Sequence, residues 1–433
     1  MLVNILTSIF VWGIGCICLL QLCTSAGLFP SLKKKSNVFN LKSIHYPSYQ
    51  PTTRDFLKIF FYAISFRMVI HLFSALIMGV FFSSDQPLTL EQIINKWVLW
   101  DANNYIRITT VGYGGYWENG MATTLVFFPL YSWLMKIVNS IIPSINLTGL
   151  VTSALCYAVG CAYFYGAVCL DYGKSIAKKT IILISIFPFG FFLGAIMPES
   201  TFFMVAAASF YYIKKHNWPL AALFGALAAL SRMQGILLAI PAAIEWLTYY
   251  KPILMLKKKR FSLFWKIFLT KAMWIPFMIT GTLIYLYQNY LITGNPFQFL
   301  EYQEKVWYQT PQYFGKTVSQ IWSRAFIENS GDIKFQIWIP EIMIFIFTIA
   351  MLVYGIKKHS VKYTSFLLLY TVMNYTPSWL LSAGRYMSVA LPLFLILAEF
   401  LDKKEKLWTG FLVGFSMLFA IYLCGYLSYL QIF

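Results

Sequence analysis

A carboxylate in a short polar run is the first residue that could do chemistry. Asp101 lies in the run WDANNY (100–105). On a helix, Asp101, Asn104 and Tyr105 share one face, because residues three and four positions apart are neighbours. The amide and the phenol can then orient the carboxylate or hold a ligand hydroxyl. The spacing predicts a general base at Asp101, and capping of a surface helix is the alternative.

Two arginines and a second carboxylate stand at the ends of apolar runs. Arg232 and Arg385 are separated from the dense basic clusters of the chain, and Tyr386 follows the second of them. A planar guanidinium matches a phosphate through two parallel hydrogen bonds, so both arginines are candidates for holding a lipid phosphate. Pairing with carboxylates is the alternative. Glu199, after Pro198, is either a second ligand-binding carboxylate or an exposed residue at a helix start.

The composition indicates the elements that position these residues. Of 433 residues, 59% are hydrophobic and 12% are charged, whereas about a quarter of a soluble domain is charged. Apolar stretches of about 20 residues recur from residue 56 onward, which excludes a soluble globular protein and does not fit the alternating strands of an outer-membrane barrel. The chain is predicted to be an all-α, polytopic membrane protein.

The apolar runs predict about 11 or 12 transmembrane helices. Residues 1–55 form an N-terminal apolar segment with a basic linker, and 56–433 form the transmembrane domain, with outer loops at 83–147 and 291–335. Residues 2–22 are an additional span or an uncleaved anchor, and 123–142 are predicted to lie along the outer surface. The predicted spans are 56–82, 148–170, 180–197, 200–213, 218–231, 233–250, 267–290, 336–356, 363–381, 386–401 and 407–429.

The basic residues give the predicted orientation. With these spans, 24 of the 34 Lys and Arg residues fall on one side of the membrane. This side is predicted to be cytoplasmic, because short cytoplasmic loops of membrane proteins carry an excess of Lys and Arg. This arrangement explains the net charge of +18 without a nucleic-acid partner. The predicted cytoplasmic clusters are Lys33 to Lys35 with Lys42, Arg54 and Lys58; Lys174, Lys178 and Lys179; Lys214 and Lys215; the cations of 251–271; Lys357, Lys358 and Lys362; and Lys403, Lys404 and Lys406.

The same topology limits the chemistry that is open to the outer face. His45, His71, His216 and His359 fall on the inner side or inside the first span, so an outer acid or base must be a carboxylate. The seven cysteines lie in apolar runs without CxxC spacing, and there is no Walker loop or GxGxxG motif. We therefore expect no metal, cofactor or nucleotide site. Arg67 and His71, one helical turn apart, are predicted to face the bundle and to pair structurally, without a catalytic role.

Two predicted spans are too short to cross a hydrocarbon core unaided. Residues 200–213 and 218–231 fall below the roughly 20 residues that a spanning helix needs. We expect their outer ends to be recessed, because irregular backbone at membrane depth needs protein or water to satisfy it. The turns at 198–200 and 231–232 are therefore candidate walls of a site.

Separated motifs in this order resemble a known group of enzymes. They are WDANNYIRITTVGYG (100–114) with FFPLY (127–131), MPES (197–200), LSRMQGILL (230–238), TGNPFQFLEYQ (293–303) and SAGRYMSVALPLF (382–394). The pattern resembles the membrane glycosyltransferases of superfamily C (GT-C), and within them the glycosylphosphatidylinositol mannosyltransferase 2 family with its bacterial relatives. The motifs span nearly all of residues 56–401.

The resemblance implies transfer of a sugar, in that family mannose, from a polyprenyl-phosphate donor to an acceptor hydroxyl on a glycolipid or glycan. Transfer would take place on the extracytoplasmic face of the cell membrane with inversion at the anomeric carbon. By position, Asp101 matches the essential acidic residue of the family, Glu199 a second acidic motif, and Arg232 and Arg385 the basic residues of later spans. The family commonly has His at the position of Asn104, so no proton-relay role is carried over to that amide.

Two other classes of protein fit part of the same pattern. A lipid or glycolipid transporter also places broken helices and isolated charges around a midplane cavity. The absence of a visible internal repeat and the position of the distinctive residues in outer loops argue against it. A structural or assembly subunit is the third class, and substitution of Asp101 would then be silent.

Overall fold

Helices make up almost all of the regular structure. The computed structural model describes residues 1–28, 48–81 and 88–433, and within these ranges it is 77% helical and without strands. The predicted all-α class is confirmed. The helices are α1 (Leu2–Ser25), α2 (Thr53–Phe81), α3 (Leu90–Asn95), α4 (Ala102–Val111), α5 (Leu130–Asn139), α6 (Ile145–Ile186), α7 (Glu199–Lys214), α8 (Trp218–Ser231), α9 (Ala239–Tyr250), α10 (Pro252–Lys257), α11 (Phe261–Thr270), α12 (Thr280–Thr293), α13 (Gln298–Trp307), α14 (Phe314–Phe326), α15 (Ile339–Gly355), α16 (Val361–Asn374), α17 (Ala383–Met387), α18 (Leu391–Phe400) and α19 (Glu405–Leu427).

Six stretches of the described residues are long and apolar enough to cross a membrane, which supports the predicted membrane class. One of them is α1, so residues 2–22 form a helix of spanning length. Several other predicted spans consist of shorter helices, among them α7, α8, α16 and α18. The six stretches are Leu2–Ser25, Thr53–Val80, Ile145–Ile186, Phe261–Thr293, Lys334–Gly355 and Glu405–Leu427.

Helix α5 is the segment predicted to lie along a surface. It has ten residues, or about 15 Å at the helical rise, which is half of a hydrocarbon core. Tyr131 and Met135 are buried, whereas Trp133 and Ile137 are exposed. The segment 123–142 therefore contains no spanning helix, and α5 keeps one apolar face unburied.

The sequence predicted two helices where the structure has one interrupted helix followed by irregular backbone. Helix α6 runs through the predicted break, with Gly173 as a kink at φ 77° and ψ 177°. It ends before Pro188, which cannot continue a helix because it lacks a backbone N–H group. Residues 187–198, predicted as the second half of the span 180–197, are instead a fully buried segment that contains only one 3₁₀ turn.

Side chains from other helices satisfy this buried segment. The Nη2 group of Arg67 on α2 donates to the carbonyl of Gly190 at 2.8 Å. The hydroxyl of Ser153 on α6 donates to the carbonyl of Ala195 at 2.6 Å. Unpaired carbonyls at membrane depth would each cost several kcal/mol, so these donors hold the segment in place. Arg67 thus faces the bundle in a structural role, but its partner is the carbonyl of Gly190. The imidazole nitrogens of His71 have no hydrogen-bond partner among the described residues.

Ion pairs separate into two groups that match the predicted faces. Each ion pair of the described residues joins side chains that the sequence assigned to the same side, for example Lys179 with Asp402 at 2.8 Å. The separation supports two opposite faces, and the identity of the cytoplasmic one stays a prediction. Lys33, Lys34, Lys35, Lys42, His45 and the beginning of the loop 83–147 lie outside the described residues. The other pairs of the predicted inner face are Lys174–Asp55, Lys214–Asp171, His216–Glu245, His359–Glu399, Lys362–Asp171 and Lys362–Glu245.

Lys362 lies at the centre of the ion pairs on the predicted inner face, and its substitution is expected to lower stability. Its ammonium lies 3.2 Å from Asp171 and 2.9 Å from Glu245, and the residue is buried. Lys362→Met removes the cation that Asp171 and the buried Glu245 share, while Lys214 still pairs with Asp171 and His216 with Glu245. We therefore expect a loss of unfolding free energy below the roughly 3–5 kcal/mol that an uncompensated buried charge costs. Thermal unfolding of the purified protein measures it. The exposed Lys358→Met is the control, and an equal effect of both variants would contradict the prediction.

Candidate functional site

Asp101 does not cap the helix that it precedes. Its backbone carbonyl accepts from the amides of Asn104 and Tyr105, so the three residues occupy one helical turn as predicted. Its carboxylate makes no capping hydrogen bond. The side chain is therefore free for another partner, and the capping interpretation of Asp101 is wrong.

Glu199 and Arg232 are brought together by the two short helices. Glu199 is the first residue of α7, directly after the buried segment 187–198, and Arg232 follows the last residue of α8. Arg232 Nη1 lies 2.6 Å from Glu199 Oε1. Both residues are buried, and Glu199 is 0% exposed. The recessed turns that the sequence identified as site walls thus contact one another, and Glu199 is not an exposed turn residue.

Arg385 on α17 connects this pair to Asp101. Its Nη2 lies 2.8 Å from Asp101 Oδ2, and its Nε lies 3.0 Å from Glu199 Oε1, although without the geometry of a hydrogen bond. We call Asp101, Glu199, Arg232 and Arg385 the outer ion cluster. Its two cations and two anions cancel, which is the arrangement that allows ionised groups to be buried. The arginines therefore adopt the carboxylate pairing that the sequence left as an alternative to phosphate binding.

Two tyrosines complete the surroundings of the cluster. The ring of Tyr386 lies under both guanidinium groups, 4.4 Å from that of Arg232 and 5.1 Å from that of Arg385. Tyr105 is buried on the first turn of α4. Burial raises the pKa of Tyr105 well above its usual value, and the carboxylates of Asp101 and Glu199 raise it further. Its phenol is therefore neutral at physiological pH and available as a hydrogen-bond donor.

Several polar atoms of the cluster have no partner among the described residues. Glu199 Oε2 is buried and unpaired, as are the hydroxyls of Ser200, which follows Glu199 in the sequence, and of Ser231, which precedes Arg232. Asp101 uses only Oδ2, and its side chain keeps 23% of its surface exposed. Such groups are costly to bury unpaired, so the site is suited to a polar ligand that supplies hydrogen bonds. Asp101 is the point of access from solvent.

Other predicted residues do not join these contacts. The side chain of Asn104 makes no hydrogen bond within the described residues, although it shares a turn with Asp101. In the loop 291–335, Phe299 and Tyr302 are buried as packing residues, whereas Tyr308 is 76% exposed. The loop therefore contributes core residues as well as the surface aromatic side chains that an interfacial belt requires.

Glu341 on α15 is a residue that the sequence analysis missed. It is buried, and its Oε1 accepts from the backbone amide of Ala383 at 3.0 Å, which fixes the start of the short helix that carries Arg385. The Tyr375 hydroxyl donates to the Glu341 carbonyl at 2.7 Å and ties α16 to the same point. A lone carboxylate in an apolar span was the available signal, since such residues are rare in membranes.

Trp100, immediately before Asp101, has a backbone conformation that is unusual for a large side chain. Its φ of 51° lies in the left-handed region. Such residues cost on the order of 1–3 kcal/mol and persist where surrounding contacts impose them, often at functional sites. Its ring packs 4.3 Å from that of Phe433 and lines a cavity of about 390 Å³. The strained residue thus lies between this cavity and the candidate base.

Fold and site together define an all-α protein with several helices of membrane-spanning length and a buried carboxylate–guanidinium cluster that opens at Asp101. No family model, curated protein or solved structure matches the chain.

Proposed function

We propose that the chain is a membrane glycosyltransferase of the GT-C type. It transfers a sugar, mannose by resemblance, from a polyprenyl-phosphate donor to an acceptor hydroxyl on the extracytoplasmic face, with inversion. The observation that carries the proposal is the outer ion cluster, whose contacts bring motifs from four distant parts of the sequence together. A structural ion pair alone does not require a partly exposed carboxylate beside unsatisfied buried oxygens.

Asp101 acts as the general base in this proposal. Oδ2 is held by Arg385, which orients the carboxylate, and Oδ1 takes the proton of the acceptor hydroxyl. The acceptor oxygen then forms a bond to the anomeric carbon while the bond from that carbon to the phosphate oxygen breaks. The electron pair of the broken bond leaves with the polyprenyl phosphate, so the charge and the atoms balance. Attack opposite to the leaving group gives inversion.

The leaving group needs charge stabilisation rather than a proton, because a phosphate ester is already a good leaving group. Arg232 donates one Nη group to Glu199, and its other N–H groups have no acceptor among the described residues. These groups are suited to the departing phosphate, whereas Arg385 is occupied by the two carboxylates. Preorganised donors at a point of developing charge are usually the largest catalytic contribution. No metal is needed for this step.

The function is tested with the purified protein in proteoliposomes and radiolabelled polyprenyl-phosphate mannose. Transfer predicts label in a new product when membrane lipids and glycans of the source cell are supplied as acceptors. Movement of intact donor between leaflets without a product would instead identify a transporter. Mass spectrometry of envelope glycolipids after deletion of the gene identifies the acceptor through the sugar that is lost.

The predicted orientation is tested by labelling from outside the cell. Asn103→Cys introduces a thiol at an exposed position close to Asp101 in the sequence. Lys358→Cys introduces one at an exposed position on the predicted inner face. We expect a membrane-impermeant maleimide to modify residue 103 in intact cells and residue 358 only after permeabilisation. Mass spectrometry of the labelled peptides distinguishes them from the native cysteines. The reverse pattern would place the cluster on the cytosolic face and contradict the proposal.

A further inference from the structure

Arg67 on α2 is a buried cation that pairs with no carboxylate of the described residues. Its side chain is 0% exposed. Nη2 donates to the carbonyl of Gly190 at 2.8 Å, whereas Nε and Nη1 are buried without a hydrogen-bond partner in the part of the chain that the structure describes. Charged side chains at membrane depth are costly and are normally paired. This guanidinium therefore calls for a compensating anion.

The ring of Tyr157 gives Arg67 only part of this compensation. The central carbon of the guanidinium lies 3.9 Å from the ring centre, so the electron-rich ring attracts the cation. A neutral ring supplies no net negative charge, and it leaves Nε and Nη1 without an acceptor. Both donors thus remain open to a ligand.

His71, one helical turn further along α2, is a second side chain with unused polar atoms. Its imidazole packs edge to face against Trp97, with the ring centres 4.8 Å apart. Both ring nitrogens are buried, and neither has a hydrogen-bond partner among residues 1–28, 48–81 and 88–433. Even a neutral imidazole carries one N–H group. His71 therefore contributes a further donor that the protein itself does not use.

Gly194 of the buried segment 187–198 marks the position where these donors converge. A Cβ atom on Gly194 would lie 3.5 Å from Arg67 Nη1 and 3.5 Å from His71 Nε2, and its nearest neighbour would be Arg67 Cδ at 3.3 Å. The glycine thus leaves room for about one atom of methyl size within reach of both nitrogens. Chloride and bromide are of similar size, whereas a phosphate or a carboxylate group is too large.

We propose that Arg67, His71 and Gly194 form a binding site for a halide ion, which is chloride under physiological conditions. The ion accepts hydrogen bonds from Arg67 Nη1 and from His71 in the tautomer that carries its proton on Nε2. A buried water molecule would satisfy these donors but would leave the charge of the guanidinium uncompensated. The bound ion joins α2 to the segment that leads directly into Glu199. The site does not depend on the proposed function.

Thermal unfolding of the full chain tests whether a halide binds. The protein is purified in sodium gluconate, placed in phosphatidylcholine nanodiscs, and unfolded in sodium chloride, bromide or gluconate at equal ionic strength. A ligand that binds only the folded state raises stability, so we expect either halide to raise the unfolding temperature by at least about 2 °C over gluconate. Gluconate is too large for the site and keeps ionic screening the same.

Three substitutions test whether the halide effect comes from this site. Gly194→Ala fills the position with a methyl group while Arg67 stays in place, so the halide-dependent shift should be lost. His71→Phe keeps the aromatic contact with Trp97 but has no N–H group, and it should weaken halide binding by about tenfold. Gly13→Ala is the matched control, because its methyl group would meet no atom within 4 Å. It should show the wild-type shift.

Crystals grown in sodium bromide identify the occupant directly. We expect an anomalous difference peak in contact with Arg67 Nη1 in the wild type and no such peak in Gly194→Ala. Ordered density without an anomalous signal would identify water and overturn the proposal. Equal unfolding temperatures of the wild type in bromide and gluconate, or a full halide shift in Gly194→Ala, would also overturn it.

Discussion

Replacing Asp101 by Asn is expected to lower the rate of sugar transfer by about 10²–10⁴-fold while the protein remains folded in the membrane. An amide has the size of the carboxylate but cannot take the proton of the acceptor hydroxyl. Arg385 keeps its contact with Glu199 in this variant, so the buried part of the cluster retains an anion. The measurement is the initial rate at saturating donor, normalised to the amount of folded protein.

A surface carboxylate provides the control for this experiment. Glu304 is exposed on α13, in the same predicted outer face, and its side chain makes no ion pair within the described residues. Glu304→Gln should leave the rate unchanged. If Asp101→Asn transfers sugar at the wild-type rate, Asp101 is not the base, and the mechanism above must be abandoned.

Replacing Glu199 by Gln is expected to have the largest effect on stability. Glu199 is fully buried between Arg232 and Arg385, at 2.6 Å and 3.0 Å. Without its charge, two buried guanidinium groups share the single carboxylate of Asp101, and a buried net positive charge remains. Removal of one partner from a buried ion pair typically costs about 3–5 kcal/mol. Thermal unfolding, followed by a thiol-reactive dye on buried cysteines such as Cys161, measures the loss.

A second substitution separates loss of charge balance from loss of shape. The double variant Glu199→Gln, Arg232→Met again contains one cation and one anion, so it should be more stable than Glu199→Gln alone. The same Met substitution at Arg107, which is not a member of the cluster and lies over the ring of Tyr116, should give no such recovery. Equal stabilities of the single and double variants would show that electrostatic balance is not what holds the cluster together.

The sequence predicted the members of the cluster better than their contacts. Charged side chains are costly to bury in a membrane, so isolated cations and carboxylates beside apolar runs are candidates for a functional site. This argument identified Glu199, Arg232 and Arg385 from the sequence alone. The short helices α7 and α8 likewise indicated recessed ends. Whether the arginines pair with carboxylates or remain unpaired and able to bind a phosphate depends on distances between segments that are far apart in the sequence. Those distances follow from helix packing, which hydropathy does not encode.

The prediction was weakest where backbone is buried without being helical. Residues 187–198 are as apolar as a span, so hydropathy placed them in a helix from 180 to 197. Pro188 was the local sign of an ending, but the segment also needs the distant donors Arg67 and Ser153. The sequence analysis missed Glu341 for a similar reason, because its partner is a backbone amide that composition does not reveal.

The order of donors and acceptors around residues 187–198 has a consequence for biosynthesis. Arg67 and Ser153 both precede the carbonyls that they serve, and synthesis proceeds from the N-terminus. When this non-helical stretch leaves the ribosome, the helices that carry its donors have already been delivered to the insertion machinery. The stretch can dock at once, without waiting in lipid for a later helix. Chain order thus shortens the time for which this vulnerable nascent segment is exposed.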